Sequence, residues 1–231
     1  MIITTFPRTP LVALLLAVLA APTLAQEAQE AGQEPLGSRW AVSLEMPIWP
    51  SLTDLQPASG GSFDSVGFGL GVSWHTSVAQ FAHSELLLGI DGMIAATDSS
   101  INAQYDQLLA RQFYLGGSVK WAFGDARNFA LDAGVGYHQV DMADISYSWW
   151  ASIENEHWSS EAPSGFVGAT WDVGAGRPYK TSGLSIGFRV HFVDFGRVTD
   201  TDRLWVIPTL GPDAGNLEGP LYFLKVGYSG R

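Results

Sequence analysis

The stretch from Ser65 to Trp74 alternates without a slip. Val66, Phe68, Leu70, Val72 and Trp74 are interleaved with Ser65, Gly67, Gly69, Gly71 and Ser73. Successive side chains of a strand point to opposite faces, so one face here is large and apolar and the other small and polar. Soluble strands also alternate, and one such segment decides little. Here the pattern returns in eight segments, many with aromatic residues near their ends, behind a candidate export signal. Together these features predict an all-β fold: a closed, antiparallel, up-and-down transmembrane β-barrel of eight strands.

The export signal opens with Arg8, continues through the apolar run Leu11–Ala21, and closes on Pro22-Thr23-Leu24-Ala25. A cationic start, a short apolar run and small residues before a cut describe a cleaved secretory signal peptide, assigned to residues 1–25. The run is about half the roughly 20 residues that a spanning helix needs. Residues 26–38, rich in Gln, Glu, Ala and Gly, read as a flexible periplasmic leader, and 39–231 as the barrel domain. About 206 residues after cleavage suit one domain.

The segments read as Trp40–Trp49, Phe63–His75, Glu85–Ala96, Leu109–Phe123, Phe129–Gln139, Gly165–Val173, Leu184–Phe192 and Leu221–Ser229. The pattern slips beyond Gln139, which predicts a bulge or an exit from the membrane. Between the segments, the first, third, fifth and seventh connections (50–62, 97–108, 148–164 and 199–220) are longer on average than the others. Membrane barrels of this type carry short periplasmic turns and longer outer loops, so the parity puts both termini in the periplasm. Ten strands result instead if Asp141–Trp149 or Leu204–Leu210 forms a strand of its own.

Composition narrows the partners. The net charge is −11, with only 12 Lys plus Arg, and no basic stripe fits a nucleic-acid backbone. There is no cysteine, hence no disulfide framework and no acylated thiol anchor. Outward positions assigned to the middle of the membrane carry no charge, as a lipid-facing wall requires. Trp40, Trp49, Trp74, Trp121, Trp171 and Tyr228 lie toward segment ends and are assigned to the membrane interfaces. Inward positions hold Glu45, Glu85, Asp91, Lys120, Asp132, His138, Arg189, His191 and Lys225. Eight strands enclose little more than side chains. These groups are therefore expected to pair across the lumen as a polar network rather than line an open pore.

With these segments in view, the chain resembles the small eight-stranded outer-membrane proteins of the OmpA, OmpX, OmpW and opacity-protein type. The resemblance spans roughly Trp40 to Tyr228 and rests on alternation and loop order. Its sharpest part is Tyr222-Phe223-Leu224-Lys225-Val226-Gly227-Tyr228. Tyr222, Leu224, Val226, Gly227 and Tyr228 in that strand resemble the signal read by the barrel assembly machinery. Ser229-Gly230-Arg231 follow here, whereas that class usually ends on the aromatic. The resemblance implies an integral protein of a Gram-negative outer membrane in contact with lipid and lipopolysaccharide. It is expected to be a monomer, without cofactor or metal, in the porin-like grouping of such barrels.

Catalysis has weaker support in the sequence. His75-Thr76-Ser77 resembles the His-x-Ser pairing of outer-membrane lipid A deacylases, but Val78 stands where those carry Asn. The pair also falls at the periplasmic end of its strand, away from the outer leaflet. His83-Ser84-Glu85 are neighbours in sequence, and neighbours on a strand point apart. No spacing supplies three convergent metal ligands. The expectation is a non-catalytic barrel with a structural or surface-interaction role in its outer loops, where Trp149, Trp150, Trp158, Trp205 and acidic Glu154, Glu156 and Glu161 lie. The alternatives are a narrow channel for small or hydrophobic solutes, and a lipid A modifying acyl hydrolase.

Overall fold

The computed structural model describes residues 37–52, 66–102, 106–124, 127–148, 151–173, 182–198 and 215–230. The expected signal peptide and all but the last two residues of the expected leader lie outside them. The strands are β1 (Ser38–Ile48), β2 (Gly67–Phe81), β3 (Ser84–Asn102), β4 (Asp106–Phe123), β5 (Phe129–Ser148), β6 (Ala151–Val173), β7 (Ser182–Val198), β8 (Gly215–Glu218) and β9 (Leu221–Gly230). From β1 to β7 each pairs antiparallel with the next. β7 then pairs with β9, and β9 returns to β1 through Trp40↔Gly230 to Ile48↔Tyr222. The sheet therefore closes on itself.

β8 and β9 are two parts of one barrel strand. Both lie against β7, β8 from Asp194↔Glu218 to Val198↔Gly215 and β9 from Ser182↔Gly230 to His191↔Leu221. A cis Gly219–Pro220 bond separates them. The ring thus has eight members. Residues 141–148, the candidate ninth strand, continue β5 without a break. Leu204–Leu210 lies outside the described residues.

The alternation sorts the side chains as the pleat demands. Val42, Leu44, Phe68, Leu70, Val72, Ile90, Ile94, Leu115, Leu131, Val167, Ile186 and Val226 are all exposed on the outside of the ring. Such a surface suits acyl chains rather than water. Along β4 its outward positions run from Trp121 to Arg111. Ten residues at about 3.4 Å each, tilted by about 40°, rise about 26 Å, the height of the apolar band in this class. Arg111 on β4, Glu161 on β6 and Asp194 on β7 bound the band at the end carrying residues 53–65 and 199–214 (the loop end). Both resolved chain ends and the turns at 82–83 and 124–128 lie at the opposite, or termini, end.

Two expected outer loops are strand instead. Residues 97–108 and 148–164 belong to long hairpins. β3 and β4 run to Asn102↔Asp106, while β5 and β6 run to Ser148↔Ala151. Only 103–105 and 149–150 join them. The alternation of large apolar with small residues fades there although the strands go on: the buried positions at these ends are Thr97, Ala162 and Ser164. Beyond Gln139 the outward face turns polar at Asp141 while Val140 and Met142 stay buried inside the ring, and a register shift follows at Asp144/Ile145. At the other end β2 continues to Phe81 through a register shift at Ser77/Ala79, which shortens the expected turn 76–84.

A charge placed mid-band tests the lipid-facing assignment. Leu115→Arg is expected to cost about 2–4 kcal/mol against wild type in denaturant unfolding from phospholipid vesicles. Arg at Ser159, exposed on the outward face of β6 beyond the band, is expected to change stability by less than about 0.5 kcal/mol.

Candidate functional site

The lumen is filled in three layers. At the termini end Arg39 donates to Glu85 Oε2 and, through Nη1, to the Arg127 carbonyl at 3.0 Å. Ser229 Oγ donates to Asp172 Oδ1 at 2.9 Å. Leu87, Ala122 and Ala130 form a small apolar cluster in the same half of the barrel.

The middle layer centres on Arg189 of β7. Its Nε donates to Asp132 Oδ2 at 2.7 Å and its Nη2 to Asp91 Oδ1 at 2.6 Å, so one guanidinium joins β3, β5 and β7. Between Arg189 and Asp132 lies Gly168 of β6, paired to both. A Cβ there would stand 2.5 Å from Asp132 Oδ1 and 2.6 Å from Arg189 Cγ, so the clasp passes over a residue without a side chain. Arg189 Cζ also sits 4.2 Å from the centre of the Phe166 ring. Ser118 donates to Asp91 Oδ2, and His75 Nε2 lies 2.7 Å from Ser118 Oγ. A second pair, Lys225 Nζ to Glu45 Oε1 at 2.9 Å, joins β9 to β1, and Ser43 Oγ donates to the same oxygen at 3.0 Å.

The layer toward the loop end is aromatic. Tyr114, Phe166, His191 and Phe223 pack ring against ring, with His191 4.8 Å from Tyr114, 5.0 Å from Phe166 and 4.8 Å from Phe223 between centroids. His138 joins through Phe195 at 5.5 Å, and Phe195 meets Trp49 at 5.5 Å. Trp49 Nε1 donates to the Glu218 carbonyl at 3.1 Å, tying the end of β1 to β8. Leu52, Leu217 and Leu221 belong to the same cluster, all buried.

The structure thus places all nine expected inward groups inside the ring, but not in one network. Arg189, Asp91 and Asp132 come together, as do Glu45 and Lys225. Lys120 faces Asp132 across the β4–β5 register. Glu85 pairs instead with Arg39, which precedes the first expected strand. His138 and His191 sit among rings, apart from the ion pairs, because they lie on inward positions nearer the loop end than Asp132 and Arg189. Trp49 is a correction. It is fully buried inside the mouth, not at the membrane interface, because its odd number puts it on the inward parity of β1. Trp40, Trp74, Trp121, Trp171 and Tyr228 are exposed on the outer face. Tyr222, Leu224, Val226 and Tyr228 share that face of β9, with Gly227 on the inward parity. Sequence reasoning missed Arg39, Ser118 and Ser229. Their inward parity was the available signal, but small or strand-flanking polar residues do not stand out among so many inward Gly and Ser.

The Asp91–Ser118–His75 cluster contains the residue types of a nucleophilic triad in a different order. A working serine needs a base on one side and open space toward a substrate. Ser118 has no exposed surface and already bridges the carboxylate and the imidazole. Ser77 and His75 are equally covered. Among the described residues no group of three or more His, Cys, Asp or Glu is arranged to hold a metal ion.

The lipid-facing wall and the filled lumen are thus parts of one object. The chain is a closed, eight-stranded transmembrane β-barrel. No protein-family model and no curated protein matches its sequence. Among solved structures it is similar to Ail, the attachment invasion locus protein of Yersinia pestis, at 11% identity and a TM-score of 0.46, over 83% of this chain and 97% of that one. It is similar to Neisserial surface protein A at 10% identity and a TM-score of 0.40, over 85% and 99%. It is also similar to the outer membrane protein OprG from Pseudomonas aeruginosa at 10% identity and a TM-score of 0.40, over 83% and 94%.

Removing the central cation leaves two buried carboxylates without their partner. Arg189→Met is expected to destabilise the barrel by about 3–5 kcal/mol. The triple variant Arg189→Met/Asp91→Asn/Asp132→Asn is expected to recover most of that loss. Urea unfolding in vesicles, followed by tryptophan fluorescence, measures both.

Proposed function

We propose that this chain is a non-catalytic integral protein of the bacterial outer membrane, acting at the cell surface through what stands beyond the membrane at the loop end. One contrast carries the reading: the lumen is closed by ion pairs and packed rings, while β3–β6 continue past the band as an open four-stranded sheet. A filled lumen offers no route to a solute. The sheet extends beyond the membrane as a surface that a partner can meet. The β6–β7 ladder stops at Ser164↔Val193, so among the described residues 151–163 pair on the β5 side alone. Backbone groups on such an edge are available to a partner strand. The export signal read in residues 1–25 supports the location.

The closed ends support the absence of catalysis. His75 and Ser77 sit inside the wall toward the termini end, which this orientation directs to the periplasm. Lipid A mass spectra of cells with and without the protein are expected to be identical, and a changed acyl count overturns this part of the reading.

A narrow channel is the second reading, favoured by one observation. In the aromatic layer the Tyr114 hydroxyl, the Gln112 amide and both His138 nitrogens are buried with no hydrogen-bond partner among the described residues. Such groups are ordinarily met by buried water. Planar-bilayer recording of the refolded chain separates the two readings. Quiet bilayers are expected, and stable open-channel steps favour the channel. Fractionation tests the location: recovery in the outer membrane, with a heat-modifiable gel shift, is the expected result.

A further inference from the structure

The lipid-facing wall is not smooth at the loop end. A groove of about 510 Å³ crosses β2–β5 on the outer face. The strand register explains it. One row reads Phe68↔Ala96↔Arg111↔Asp141, and the row below it reads Leu70↔Ile94↔Phe113↔Gln139. Ala96 is the small member between Phe68 and Arg111, and it forms a hollow between two large neighbours. The lower row is apolar on three of its four strands. The upper row carries a cation and an anion, so the groove crosses the boundary of the band.

We propose that this groove seats a phosphorylated, multiply acylated glycolipid of the outer leaflet, the lipid A part of lipopolysaccharide, with an acyl chain over Ile94 and Ala96 and a phosphate on Arg111. The inference rests on the orientation proposed above, in which the loop end faces outward. Two demands at the site select the ligand. Leu70, Ile94 and Phe113 are strongly exposed within the band, where hydrocarbon covers them, and exposed Phe68 flanks them at its edge. Arg111 is exposed at the height where headgroups begin, and its planar fork matches phosphate oxygens in a bidentate way. Gln139 Nε2 donates to both carboxylate oxygens of Asp141 at 3.3 Å, holding that charge toward β5. Glu161 pairs with Gln139 across β5–β6, continuing the lower row, and is exposed. The acidic side of the groove therefore repels a phosphate, and the cation on β4 attracts it.

Native mass spectrometry of the refolded full chain in micelles tests this. The probes are lipid A, the same lipid dephosphorylated, and phosphatidylglycerol. Wild type is expected to retain lipid A, with retention about tenfold lower for the dephosphorylated lipid and for phosphatidylglycerol. Arg111→Gln is expected to lower lipid A retention by a similar factor, and Ala96→Phe, which fills the hollow, to do the same. Both positions face outward, and the heat-modifiable shift verifies folding of each variant. Retention unchanged in either variant, or phosphatidylglycerol held as firmly as lipid A, overturns the proposal. The measurement does not depend on which membrane the cell uses, so it fails separately from the fractionation test.

Discussion

Inside hydrocarbon a backbone N–H or C=O has no water to bond, and each one left open costs several kcal/mol. Much of this structure follows from that. The ladder must close, and closure is made by nine register pairs between β1 and β9. A ring of eight strands leaves room inside for side chains and little else. Inward charges must then find partners across the ring, and Arg189 does so by joining three strands. Gly168 is part of the same solution, because any side chain there would occupy the path of the clasp. The outer face, the ring, the filled lumen and the paired charges are linked consequences of one solvent.

That linkage explains which features were legible in the sequence. Alternation reports the difference between lipid on one side and packed lumen on the other. It was sharp from Gly67 to Trp74 and from Leu184 to Phe192, where both conditions hold. It fades at 97–108 and 148–164 although the strands continue there, since past the apolar band the outward face carries polar residues such as Ser159 and Glu161 and the contrast is lost. Parity alone assigned the inward groups to the lumen, but not to their layers. His138 and His191 were grouped with the charges because period two gives a face and not a depth. Trp49 shows the opposite error: its residue type suggested an interface, while its parity pointed to the lumen, and the parity was the better guide.

The three layers also divide the molecule by the kind of interaction that closes it. Ion pairs fill the middle, where a missing partner is most costly. Rings fill the end nearest the loops, where Trp49 and Glu218 fasten β1 to β8 beside Phe195. Chemistry that needs an open cleft has little room in such an interior. Two surfaces are left that the ring does not consume: the outer wall and the sheet beyond it.

The uneven height of the wall has a thermodynamic consequence. β1 and β9 have 11 and 10 residues, whereas β5 and β6 have 20 and 23. The surplus length of β5 and β6 lies in water, outside the closed ring. A hydrogen bond opened there is repaired by solvent, so these pairs can open one at a time. Within the band the same strands can open only together with their neighbours. A single continuous strand such as β6 therefore contains two regimes of opening, slow and collective in lipid, fast and local above it. Amide exchange would change along its length with no change in secondary structure, and sequence drift in the outer part would leave the unfolding energy of the barrel almost untouched.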